Sequence, residues 1–109
     1  MITCTLTYRI DPAKLDVFEA YARAWIALVP RFGGVHHGYF LPHEGPNDVA
    51  HAAFSFPSLA AYEQYRHASR NDEDCRAAYA FAERTGCIRS YEHSFTRPVL
   101  EGSLEGLSA

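Results

Sequence analysis

The chain lacks a closed set of cysteines. Cys4, Cys75 and Cys87 are three in number and far apart in the 109 residues, so they cannot form a complete disulfide framework. No C-x-x-C pair offers a zinc or dithiol site either. No apolar run approaches the roughly 20 residues of a membrane span. The opening residues alternate polar and apolar, unlike the charged-then-apolar plan of a signal peptide. A cytoplasmic, reducing location is the expectation. Basic residues are few and scattered: ten Lys and Arg stand against thirteen Asp and Glu, for a net charge of −3. That balance points away from nucleic acid and from anionic membrane surfaces. Phosphate-cradling loops, dinucleotide fingerprints, nucleophile elbows and c-type haem attachment motifs are all missing.

What is present is the patterning of one folded domain. Apolar residues make up 48% and charged residues 21%, ordinary usage for a globular chain. Residues 1–100 are expected to form the domain, and 101–109, rich in Glu, Gly, Ser and Leu, a loose tail. Ile2 to Ile10 alternate strictly, which predicts a strand with one apolar face. Asp11-Pro12 is a helix start: the carboxylate can accept from first-turn amides, and proline is tolerated where no amide is needed. Leu15, Phe18, Ala22, Trp25 and Val29 then trace a helical stripe. Pro30 should disturb its last turn, and Gly33-Gly34 should end it.

Val35–Leu41 and Val49–Phe56, joined by the turn-forming stretch Pro42–Asp48, read as a β-hairpin. Ser58 can cap a second helix with Leu59, Tyr62 and Tyr65 or Arg66 turned inward. A break at Asn71–Asp74, with Asn71 as a fresh cap, leads to a stripe of Cys75, Ala78, Phe81 and Ala82 that Gly86 closes. A last strand spans about Cys87 to Arg97 and stops at Pro98. Both of its faces are mixed, so pattern alone leaves open which one is buried.

The order β-α-β-β-α-β predicts an α+β, ferredoxin-like fold: a four-stranded antiparallel sheet with its helices on one face. Bulky residues nevertheless occupy both faces, since Tyr39 and Phe40 point oppositely, as do His51 and the Ala52/Phe54/Phe56 set. A sheet with two adhesive faces usually buries the second against another chain. A homodimer through the open sheet face is therefore expected.

Several stretches carry a resemblance. Arg-Ile-Asp-Pro-Ala-Lys-Leu at 9–15 and Arg31-Phe32-Gly33-Gly34 resemble the opening helix unit of the NIPSNAP family. Glu44-Gly45-Pro46-Asn47 leading into Val49-Ala50-His51, and the stretch from Tyr91 to Pro98, continue it, so that order and spacing match over most of residues 1–100. The resemblance implies a dimeric α+β barrel, in which two ferredoxin-like sheets close into one barrel. It implies no particular activity, because the family has none settled.

Counting the hairpin about its loop places Tyr39 opposite His51, with His37 one step along on the same face. Imidazole can move protons near neutral pH and a phenol can donate to a developing oxyanion, so His51 and Tyr39 are the candidate catalytic residues. His37, Tyr8 and Trp25 would complete a ligand-binding group. The expected function is the binding of a small organic molecule between sheet and helices, with cofactor-free, oxygenase-like chemistry. Two alternatives stand beside it: a non-catalytic dimeric module whose aromatic side chains only pack, and a haem-dependent enzyme. Haem is suggested by related dimeric barrels, with His67 or His93 as its ligand. His36 and His37 are strand neighbours and cannot grip one metal ion. A site of His37, His51 and Glu92 would need all three on one face, and no metal is expected. Tyr62, Tyr65, Arg66 and His67 read either as the lip of a cleft or as an ordinary amphipathic helix.

Overall fold

The computed structural model describes residues 1–108, and local chemistry explains most of its boundaries. Asp11 Oδ1 accepts from the Ala13 amide at 3.0 Å, starting a 3₁₀ turn (Pro12–Lys14) that runs into helix α1 (Leu15–Leu28). Pro30 tightens the end of that helix into a second 3₁₀ turn (Val29–Phe32), closed by Gly33 in the left-handed region at φ 88°, a conformation that costs glycine little. Ser58 Oγ accepts from Ala61 N at 3.1 Å and caps helix α2 (Leu59–Ser69). Helix α3 (Glu73–Thr85) ends at Gly86 in the left-handed conformation.

Strands β1 (Ile2–Ile10), β2 (Val35–Phe40), β3 (Val49–Phe56) and β4 (Ile88–Thr96) form one antiparallel sheet in the order β2-β3-β1-β4. This is the α+β, ferredoxin-like arrangement, with the second helical segment split into α2 and α3. Cys4, Tyr8 and Ile10 of β1, with Ala50, Ala52, Phe54 and Phe56 of β3, are buried beneath the helices. From α1 they receive Phe18, Tyr21, Ala22, Trp25 and Leu28. Phe18 and Phe56 are wholly enclosed, each contributing about 2–3 kcal/mol by leaving water. Gly34 is required by this packing, since a Cβ there would lie 2.7 Å from both Phe56 Cζ and Val29 Cγ1.

Three sequence expectations are corrected. Asp72, not Asn71, caps α3, because its Oδ2 accepts from Cys75 N at 2.9 Å. Leu59 is 54% exposed rather than inward; α2 turns Tyr62, Tyr65 and Ser69 to the sheet. The third correction matters most. A β-bulge sets His37 and Gly38 against the single residue Ala53, so Tyr39 pairs with Ala52 and Phe40 with His51. Gly38 takes φ 112°, which a side chain would oppose. Tyr39 and His51 consequently lie on opposite faces of the sheet.

The ambiguous last strand is resolved by its register. Tyr91, His93 and Phe95 pair with Tyr8, Leu6 and Cys4, on the helix side, while Glu92 pairs with Thr7 on the open side. Because β4 is an edge strand that the helices cover incompletely, Tyr91 and Phe95 stay substantially exposed. Every described residue of the 101–108 segment is exposed, and it includes a short 3₁₀ turn at Glu105–Ser108; Ala109 lies outside the described residues. No helix among the described residues is long and apolar enough to cross a membrane.

Candidate functional site

A cavity of about 360 Å³ separates the helices from the sheet, within the range of small-molecule sites. Its floor is Leu6 and Tyr8 of β1, His36 and Tyr39 of β2 and Phe54 of β3. Tyr21 and Trp25 of α1 and Tyr79, Ala82 and Glu83 of α3 roof it, and Tyr65 and Tyr91 complete the wall. The rings support one another: Tyr8 stacks on Tyr39 at 5.9 Å, His36 on Tyr39 at 5.1 Å, and Trp25 tilts against Tyr79 at 4.9 Å.

Apart from the Glu83 carboxylate, the polar side chains of this cavity are uncharged. Burial pushes the Tyr8 phenol up to about 12, and raises Tyr39, Tyr21 and Tyr65 as well. All four are neutral hydroxyls near pH 7. Burial, assisted by the neighbouring His37, lowers His36 to about 4, so its imidazole is neutral as well. Its tautomer follows from geometry. The Gly38 amide donates to His36 Nδ1 at 2.9 Å, leaving the ring proton on Nε2. The Trp25 indole N–H is buried without a hydrogen-bond partner among the described residues. Tyr21 lies edge-on to that indole, but its phenol does not reach hydrogen-bonding geometry.

Of the five ligand-binding residues expected from sequence, Tyr8, Trp25 and Tyr39 line this cavity. His37 and His51 do not, because the bulge and the register turn both to the open sheet face. There His37 Nε2 lies 2.7 Å from Ser55 Oγ, which in turn lies 2.7 Å from Thr3 Oγ1. His51 Nδ1 lies 3.4 Å from Thr7 Oγ1. Glu92 shares that face, yet no metal-sized cluster of His, Cys, Asp and Glu forms among the described residues. The candidate haem ligands are elsewhere. His67 borders a broad surface groove with Tyr62, Arg66 and Phe95, and His93 is exposed on β4. Neither lines the cavity. The cysteines are buried, and desolvation pushes Cys4 and Cys75 up to about 11, which leaves those two unsuited to thiolate chemistry.

Sequence reasoning passed over His36, Tyr21, Tyr79 and Tyr91. Tyr21 was legible, standing three residues after Phe18 and four before Trp25. Gly38 within a strand pattern was the available sign of the bulge that brings His36 to the helix side.

The family model for NIPSNAP matches residues 5–100. No protein in the curated set matches the chain. Among solved structures, the chain is similar to a NIPSNAP family protein of Agrobacterium tumefaciens, at 25% identity and a TM-score of 0.74 over 90% of this chain and 92% of that one. A second protein of the same organism gives 19% identity and a TM-score of 0.79 over 91% and 94%. A candidate antibiotic biosynthesis monooxygenase of Nitrosomonas europaea shares the fold at 6% identity, with a TM-score of 0.71 over 92% and 100%.

Proposed function

The chain belongs to the NIPSNAP family, and from that premise we propose that it binds a small organic molecule in the cavity between sheet and helices, as a homodimer joined through the open sheet faces. The observation that carries this reading is the 360 Å³ aromatic cavity itself. Domain interiors are normally filled to crystal-like density, and a space of this size walled by mutually stacked rings is a ready ligand site. Phe40 and Val35, more than half exposed at the open edge of the sheet, support the dimer. Cofactor-free, oxygenase-like chemistry on the bound molecule is the activity the reading favours. Its support is the fold shared with the candidate monooxygenase, an analogy of architecture. The three unpaired, buried cysteines suit a cytoplasmic setting.

A screen of small organic compounds by thermal shift tests the ligand site, comparing wild type with Ala82→Phe, which projects a ring into the cavity from α3. Compounds should raise the melting temperature of the wild type and leave the variant unmoved. If no compound raises it, or if the shifts survive in Ala82→Phe, the cavity is not the site.

A further inference from the structure

Resting on the reading that this cavity is a ligand site, we infer that its ligand is a flat, uncharged aromatic molecule carrying a carbonyl-type oxygen, bound by the Trp25 and His36 N–H groups. Three features lead there. The walls are π faces: Tyr8, Tyr39, Trp25 and Tyr79 offer stacked and tilted rings, which favour a planar aromatic body. The unfilled hydrogen-bonding capacity is on the donor side. The Trp25 indole has an N–H and no acceptor, and that N–H is served neither by the protein nor by bulk water. His36 has its Nδ1 occupied by the Gly38 amide, which leaves Nε2–H with no partner among the described residues. A ligand oxygen accepting from the Trp25 N–H would satisfy a donor that is otherwise buried and unpaired, where an unmet donor is costly, and the His36 Nε2–H offers a second donor on the facing wall.

The third feature is charge. No Lys or Arg lines the cavity, and Glu83 is its one charged side chain. A carboxylate or phosphate inside would be buried without a countercharge and near a like charge. A cation would find aromatic faces but would leave both N–H groups unsatisfied. A neutral acceptor meets all three conditions.

Four shape-matched probes separate the outcomes: 9-fluorenone, fluorene (the same shape without the oxygen), 9-fluorenone-4-carboxylate and N-methylacridinium. Trp25 is the single tryptophan of the chain, so quenching of its emission reports binding inside the cavity, and calorimetry covers variants lacking it. Fluorenone should bind about tenfold more tightly than fluorene, as one net hydrogen bond gives, with the carboxylate and the cation weaker than fluorenone. Trp25→Phe should bring fluorenone down to the fluorene level and leave fluorene within about twofold. His36→Phe, on the opposite wall, makes the same comparison through an independent variant. Equal binding of fluorenone and fluorene, a preference that survives both variants, or tightest binding of the cation or the carboxylate would overturn the inference while leaving the cavity a ligand site. No binding by any probe, in wild type as in Ala82→Phe, would overturn the underlying reading as well.

Discussion

His36 is held uncharged by its surroundings, and this has a consequence for stability. Its folded value of about 4 lies below the 6.5 of the free side chain. Between those values the unfolded chain binds a proton that the folded chain does not, so stability falls as pH drops from about 6.5 toward 4 and is fully present above that window. The half-buried ring is partly screened by solvent, which limits its share to about 1 kcal/mol. Urea melts between pH 7 and pH 4.5 should show His36→Phe losing less stability on acidification than wild type; parallel declines would contradict the assignment. The tyrosines act at the other end. Tyr8 is raised from 10.0 to about 12, so its contribution is intact below pH 10 and is lost as pH rises through 12. The phenolate absorbance near 295 nm should therefore include a cooperative step coincident with unfolding, whereas a smooth non-cooperative rise would mean that these phenols are solvated.

Among the elements, hairpin β2–β3 decides which side chains meet. Gly38 at φ 112° lets two residues oppose Ala53, and everything beyond it is set by that extra residue. Gly38→Ala should cost about 1–3 kcal/mol through backbone strain and weaken ligand binding, because Tyr39 and His36 flank it. Gly34→Ala tests the packing just before β2, on the helix side of the sheet. Its Cβ would meet Phe56 and Val29 at 2.7 Å, so a loss of about 1–3 kcal/mol is expected in chemical denaturation, and an unchanged midpoint would refute the close approach. The element order and the helix caps at Asp11 and Ser58 were readable from the sequence, because each rests on contacts within a few residues. The pairing of Tyr39 with Ala52 was not. Strand alternation names two faces, but a bulge shifts the pairing, and Gly38 was the only local trace of it. Tyr8, Trp25 and Tyr39 therefore line the cavity between helices and sheet, while His37 and His51, grouped with them from the sequence, lie on the open face.

At the scale of the whole molecule, the described chain is flat, with extents of 54 × 36 × 19 Å. One broad side is the open sheet face and carries Phe40 at 58% exposure. Val99, Leu100, Leu104 and Leu107 are also strongly exposed beyond β4. A second copy covering the sheet would need to bury about 800 Å² per partner to hold a stable pair. Light scattering should accordingly give twice the chain mass for wild type. Phe40→Asp, which sets a carboxylate into the proposed contact, should shift the protein toward monomer while circular dichroism stays unchanged. A wild-type monomer would remove the dimer. The ligand cavity is the central claim, and native mass spectrometry of freshly purified protein tests it most directly, with Ala82→Phe prepared in parallel. A defined small-molecule adduct on wild type that is missing from the variant is the predicted result. Adducts absent from both, or retained equally by both, would contradict it.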